Sequence, residues 1–209
     1  MPKVNLSYVQ ERKEYIIDCT YRVLNGKALK DINMRDVIKE TGFSQGTIYN
    51  YYKNIDEIIS VIVCRYMVHM KERLSGCIDY MNNFDDIYNK ICDCMVDMYK
   101  ENPELFEGML GRISYSTEPH ENQEILYEVF RAGEDLNNIV IELLNKGIEQ
   151  GVVRADLNLH IAVFYLWSGL GQIIIFSHGK QKYIEEQLKM SRQEYMKQGF
   201  ELIARSIMK

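Results

Sequence analysis

Proline is nearly missing from this chain. Three occur among 209 residues, at Pro2, Pro103 and Pro119. Proline breaks helix interiors, so its scarcity leaves room for a mostly helical protein. No segment alternates convincingly between apolar and polar residues as a half-buried strand would. Paired cysteine motifs are absent as well. The five cysteines, at positions 19, 64, 77, 92 and 94, contain no CxxC spacing and are odd in number, which points to reduced thiols rather than a disulfide framework. Cys92 and Cys94 sit two apart on a predicted helix and point about 200° from each other, so core packing is expected for them rather than redox sensing. The four histidines, at 69, 120, 160 and 178, form no i, i+4 pair, so no metal is expected. No nucleophile–base constellation and no phosphate-binding glycine loop are visible, which argues against an enzyme and against a cofactor. Val4–Arg12 is polar rather than apolar, unlike a secretory signal, and a cytoplasmic protein is expected.

Long hydrophobic runs are equally scarce. The longest, Ile161–Phe176, is interrupted by Ser168, Gln172 and two glycines. It falls short of the ~20 residues of a membrane span and reads as a buried helix, with no membrane partner. Hydrophobic residues make up 46% of the chain and charged residues 26%, an ordinary globular balance that allows a sizeable core.

The net charge of −5 argues at first against nucleic acid, but it is unevenly spread. Residues 1–53 hold nine Lys/Arg against six Asp/Glu, and the remainder holds sixteen against twenty-four. A positive N-terminal module on an acidic body suits a local nucleic-acid footprint.

Helix signals dominate the N-terminal part. Ser7 and Gln10 read as a capping box, followed by Ile16, Cys19, Thr20, Val23 and Leu24 at helical spacing, with Gly26 as the stop. Asn33 is a good cap for a second, short helix, and Asp36 suits its positive start. Met34, Val37 and Ile38 form its apolar side, and Gly42 ends it. Ser44 caps a third helix, Gln45–Tyr52. Asn54 caps a long fourth helix with Glu57 at the third position and one stripe of Ile55, Ile58, Ile59, Ile62, Tyr66 and Met70. Later helices are expected over about 85–101, Pro103–Ile113, a long stretch ending at Gly151, Leu159–Phe176 and Glu185–Met208, with a loop at Ser116–Pro119 and a turn at Val152–Asn158. The fold class is all-α, with a three-helix N-terminal unit over residues 1–53 and a larger helical body over residues 54–209.

Two short amphipathic helices joined by Thr41-Gly42-Phe43 have the spacing of a helix-turn-helix. Gly42 permits the sharp turn, where a positive φ is easiest for glycine. Phe43 and Ile48 are placed to bury between the helices. The exposed face of the third helix then presents Ser44, Gln45, Thr47, Tyr49, Asn50 and Tyr51, with Arg35 and Lys53 beside it. Gly46 removes a side chain at the helix start and lets the backbone approach DNA. Gln and Asn can bond bidentately to adenine in the major groove, while lysine positions the backbone. Tyr52 is expected to pack and Tyr49 to remain available.

The run from Met34 through Asn54 resembles the TetR/AcrR family of transcriptional regulators. Gly42, Ser44, the Gly46-Thr47-Ile48-Tyr49 core and the Tyr51-Tyr52-Lys53 ending all sit at family positions. The resemblance implies that residues 1–53 are a helix-turn-helix DNA-binding domain and residues 54–209 a regulatory domain for ligand binding and dimerisation, that Thr47, Tyr49 and Lys53 hold phosphates, and that Gln45 points at bases. Gly147–Asn158 looks like the turn before the last two helices in that family. Two departures stand out: Ile55 where the family usually places a lysine, and a Gly26–Asn33 segment longer than the common spacing.

The implied function is sequence-specific binding to a palindromic double-stranded DNA operator by a homodimer, most often as a repressor released by a small apolar ligand. Alternatives are a ligand-independent DNA-binding or interaction protein, and a helical carrier of hydrophobic molecules. With 11 methionines and 15 tyrosines, a pocket is sought among Met67, Met70, Met95, Tyr99, Met109, Tyr127 and Trp167, since methionine adapts to irregular apolar partners. No cluster of basic residues accompanies them, which favours a neutral or cationic ligand over a phosphorylated one. The dimer is expected through the last two helices. Tyr165, Gly169, Gln172, Ile173 and Phe176 would come from one of them, and Met196, Gly199, Phe200, Ile203 and Ile207 from the other.

Overall fold

A computed structural model describes residues 6–78, 82–111, 115–119 and 124–209 of the chain. Pro2, Lys3, His120 and the expected end of a helix at Ile113 lie outside these residues. Among the described residues there are ten α-helices and no strand. The only β pairing among them is a single antiparallel bridge between Val153 and Met208.

The N-terminal unit contains α1 (Leu6–Leu24), α2 (Met34–Thr41) and α3 (Gln45–Tyr49). Ser7 lies inside α1 rather than capping it, and its hydroxyl bonds to Glu11 one turn on, at 2.9 Å. The long 26–33 segment contains a 3-10 turn at Leu29–Asp31. That turn leans on the body: the Leu29 amide donates to Glu104 at 2.8 Å, and the Leu29 side chain occupies the space a Cβ would need at Gly108. The extra residues therefore act as a strut between the two parts of the chain.

Helix α4 (Ile55–Ser75) leaves the N-terminal unit and enters the body as one continuous element. It is stapled back to α1 by the Arg65–Glu14 ion pair at 2.7 Å and by the Tyr21 hydroxyl on the Ile62 carbonyl at 3.4 Å. The body is completed by α5 (Phe84–Glu101), α6 (Pro103–Leu110), α7 (Glu124–Glu149), α8 (Leu159–Gly179), α9 (Gln181–Tyr183) and α10 (Arg192–Ile207). Helix α7 packs mainly on α4, and α10 on α8.

Element ends follow capping chemistry. Pro103 starts α6 at a position where its missing N–H costs nothing. Ser191 and Glu194 form a capping box on α10, which therefore starts at Arg192 and not at Glu185. The residues before it, Ile184–Leu188, form a π-helical turn ending at Lys189 with φ 54°. The thiols of the 92/94 pair behave as core groups: burial pushes Cys92 up to about 12 and Cys94 up to about 11, so both remain protonated at neutral pH.

The buried helix expected over Ile161–Phe176 is covered by its own chain on one side only. Helix α8 is long and apolar enough, by length and composition, to cross a membrane, yet only one side of it is covered. Ala162, Val163, Leu166, Leu170 and Ile174 point into the core. Ile161, Phe164 and Phe176 are exposed by 68%, 65% and 46%.

Candidate nucleic-acid interface and cavity

Local rules build the helix-turn-helix. The Asn33 side chain accepts from the Arg35 and Asp36 amides, and Asp36 accepts in return from the Asn33 amide at 2.9 Å. Lys27 adds a 2.6 Å ion pair to the same carboxylate. These two contacts, the Lys27 ammonium first, hold the Asp36 carboxyl below the usual carboxylate range. Gly42 closes α2 with φ 70°, its amide on the Ile38 carbonyl at 3.1 Å. Thr41 Oγ1 donates to the Val37 carbonyl and accepts from the Phe43 amide, which carries the chain through the turn. Ser44 then caps α3, accepting from the Thr47 amide at 3.2 Å.

Burial sorts the side chains of this segment into two faces. Ile48 and Tyr52 are buried, at 0% and 4% exposure. Ser44, Gln45, Gly46, Tyr49, Asn50 and Lys53 are exposed, as is Arg35 on α2. Thr47 and Tyr51 are half-buried. Thr47 shares a 2.8 Å hydroxyl contact with Ser44, and Tyr51 packs partly against the core. Helix α3 ends at Tyr49, three residues earlier than expected, and Asn50 is its C-cap. A groove lined by Asn33, Met34, Arg35, Ile38, Gln45 and Tyr49 runs between α2 and α3.

Phe43 is only half-buried, because its ring faces α1 rather than the α2–α3 seam. Tyr15 lies 5.3 Å away from it, centroid to centroid, and the Arg12 guanidinium sits 4.8 Å over it. Arg12 also covers Tyr8 at 5.0 Å. This cation on α1 beside the turn was missed in the sequence, where no spacing ties residue 12 to residue 43.

The body contains a cavity of about 480 Å³. Its walls come from α4 (Met67), α6 (Met109, Leu110), α7 (Val129, Phe130, Gly133, Glu134, Leu136, Asn137) and α8 (Phe164, Trp167, Ser168, Gln172), with Gly111 and Tyr115 at the edge. Three of the seven expected lining residues are here: Met67, Met109 and Trp167. Met70 and Met95 are core residues, at 0% and 1% exposure. Tyr99 packs on Phe106 and His178 instead. Tyr127 reaches the wall only indirectly, through its stack on Phe130 at 6.4 Å. The α7 wall was missed. Its signal was the helical repeat 129/130, 133, 136/137, with a glycine in the middle that opens space.

The expected dimer face also divides. Met196, Phe200, Ile203 and Ile207 are buried, because they pack on α8 of the same chain. The glycines serve that same contact: Ile203 sits over Gly169, and Ile173 over Gly199. What remains outward is Tyr165, Gln172 and Phe176 from the expected set, joined by Ile161, Phe164 and Leu202. The periodic stripe on α10 marked an intrachain seam, which has the same period as an interchain one.

Comparison with known proteins adds the family. Residues 16–62 match the family described as bacterial regulatory proteins, tetR family. A regulator of Bacillus subtilis, the uncharacterized HTH-type transcriptional regulator YfiR, is 31% identical over 62 residues, 30% of each chain. The chain spans 30% to 51% of the lengths of the curated relatives it matches. The fold extends further. The transcriptional regulator FadR of Bacillus subtilis, solved in complex with stearoyl-CoA, superposes with a TM-score of 0.65 at 17% identity, over 93% of this chain and 98% of that one. The SmeT–triclosan complex does so at 0.60 and 18%, over 94% and 91%. At such identities the likeness establishes the fold alone. The N-terminal match coincides with the helix-turn-helix built by Asn33, Gly42 and Ser44, and together with the fold it supports a regulator of the TetR/AcrR type.

Proposed function

We propose that the protein is a sequence-specific DNA-binding transcriptional regulator that acts as a homodimer and is controlled by a small molecule in the α4/α6/α7/α8 cavity. The observation that carries the DNA reading is the sorting of α3. Ile48 and Tyr52 anchor it, while Gln45, Tyr49 and Asn50 stand free of the core. Gln45 and Asn50 can reach base edges; Tyr49, Thr47 and Lys53 suit phosphates. Two such units about 34–36 Å apart would fill successive major grooves of a palindrome.

A second copy is the natural cover for the outer face of α8. Exposed contiguous apolar surface marks an interaction site, and a two-fold interface pairs one patch with itself. Ser168 and Gln172 on that face carry polar groups that a protein partner can bond and lipid tails cannot. Phe164, Ser168 and Gln172 line the cavity as well. A molecule bound there would therefore touch the side chains that set dimer geometry. The continuous α4 helix, anchored to α1 and lining the cavity through Met67, offers a route to the DNA-reading unit. A coupling of about 1–3 kcal/mol would change DNA affinity roughly 5–150-fold.

The test is binding to DNA flanking the gene, with variants. Lys53→Ala should weaken all sequences alike and lower the salt slope by about 1 per subunit. Gln45→Ala should relax sequence preference, costing roughly 1–3 kcal/mol per base contact. Retained preference in Gln45→Ala would remove Gln45 from base reading, and a monomer on DNA would remove the dimer.

A further inference from the structure

Charge distinguishes this cavity from one that would hold a phosphorylated ligand. Among the described residues its lining contains no lysine, arginine or histidine, and it contains one carboxylate, Glu134. Glu134 is solvent-exposed and stands one helical turn after Phe130, on which Tyr115 stacks at 6.3 Å, and Phe164 and Trp167 are the other aromatic rings of the lining. The neighbouring acid on α7, Asp135, turns away to pair with Lys71 at 2.7 Å. Glu134 has no such cation among the described residues. Its one hydrogen bond among them is from the Asn137 amide one turn along, at 3.0 Å.

Aromatic faces attract cations, and quaternary ammonium groups are held by cages of them. A carboxylate beside such rings adds direct charge attraction that is stronger at the edge of a low-dielectric cavity than in water. Phosphates and thioester-linked nucleotides call instead for Arg or Lys forks. Among its described residues this lining offers no cation to match the stearoyl-CoA seen with the structurally similar FadR.

We infer that the cavity selects lipophilic organic cations, with the cationic head at Glu134 among the Phe130, Tyr115 and Phe164 rings and the apolar part toward Met67 and Trp167. This inference rests on the reading of the cavity as a ligand site. Trp167 is the only tryptophan of the chain, so its fluorescence reports occupancy directly.

The experiment titrates the full-length protein with four probes that share a ten-carbon chain: decyltrimethylammonium, decanol, decanoate and decanoyl-CoA, each below its micelle concentration. The ammonium should shift Trp167 emission at concentrations about tenfold or more below decanol, with decanoate and decanoyl-CoA weaker still. Glu134→Gln should remove most of that tenfold advantage and leave decanol binding and the thermal midpoint unchanged. Phe130→Leu should weaken the ammonium more than decanol. Tighter binding of decanoate or decanoyl-CoA, or an ammonium advantage that survives Glu134→Gln, would overturn the charge assignment while keeping the cavity as a ligand site. Silence of Trp167 towards all four probes, with DNA affinity unmoved, would overturn the ligand site itself.

Discussion

Helix α3 has five residues and α7 has 26, and they are held by different means. Residue types that bond to their own backbone neighbours define the short helices: Asn33 and Asp36, Thr41, Gly42 and Ser44 each satisfy a donor or acceptor within a few positions. Such bonds are local, so they set where a five-residue helix begins and ends even though it is too short to be stable alone. Long helices of the body are placed by what lies between them. Leu110 fills the notch at Gly171, Val153 and Phe84 fill the one at Gly147, and Ile203 fills the one at Gly169. Where the nearest side chain stands further off, as Met67 does at 3.5 Å from the place of a Cβ on Gly133, a cavity remains. The helix-turn-helix is thus specified by bonds within a few residues, and the cavity by an absence of filling between distant ones.

The largest test of that contrast is Ile48→Ala. Ile48 is fully buried and is the main anchor of a helix with almost no length to spare. Truncation should cost about 2–5 kcal/mol and abolish DNA binding. Urea unfolding should show whether the loss stays in residues 1–53 or spreads along α4. A loss spread evenly over both parts would mean that they fold as one unit.

Next comes a pair of glycine substitutions in the body. Gly147→Ala would place a Cβ 2.4 Å from Val153 and 2.7 Å from Phe84, and such overpacking should cost about 1–3 kcal/mol. Gly133→Ala meets only Met67, at 3.5 Å. It should be neutral or stabilise by about 0.5–1 kcal/mol through helix propensity. Thermal melts of the two variants would separate a filled notch from an open one; equal destabilisation would deny the cavity its room.

Gly42→Ala tests the local side. A φ of 70° is strained for any residue with a Cβ, so a loss of about 1–2 kcal/mol is expected. DNA binding should weaken even where the body's melting is unchanged.

The smallest effect concerns acid. The Asp36 carboxyl is held down in the folded state by Lys27 and the Asn33 amide. Its contribution to stability is therefore present above the ordinary carboxylate pKa and is lost as pH falls through the lowered folded value. Asp36→Asn should flatten that acid limb slightly in a pH series of unfolding curves. An unchanged limb would place the acid sensitivity elsewhere.

How much was legible in advance follows the same divide. The caps at Asn33, Ser44 and Asn54, the turn at Gly42, the burial of Tyr52 and the exposure of Tyr49 were all readable, because each depends on residues within a few positions. The stop of α3 at Tyr49 was read three residues late, since Asn50 and Tyr51 do not look like a break until Tyr52 is drawn into the core. Met70, Met95 and Tyr99 were offered as pocket residues on type alone, and type does not say which side of a helix faces a void.

Sequence by itself determined the all-α architecture, the helix-turn-helix and the outward placement of Ser44, Gln45, Tyr49 and Asn50, though not the half-burial of Thr47 and Tyr51, because local hydrogen bonding and helical period act over one or two turns. Only the tertiary structure decided that Met196, Phe200, Ile203 and Ile207 close on α8 of their own chain, that Arg12 caps the Phe43 ring, and that Glu134 lines the same cavity as Phe130, Phe164 and Trp167. Those outcomes depend on how helices far apart in the chain rotate about their axes when their notches are filled, and the periodicity of a single helix carries no information about its partner.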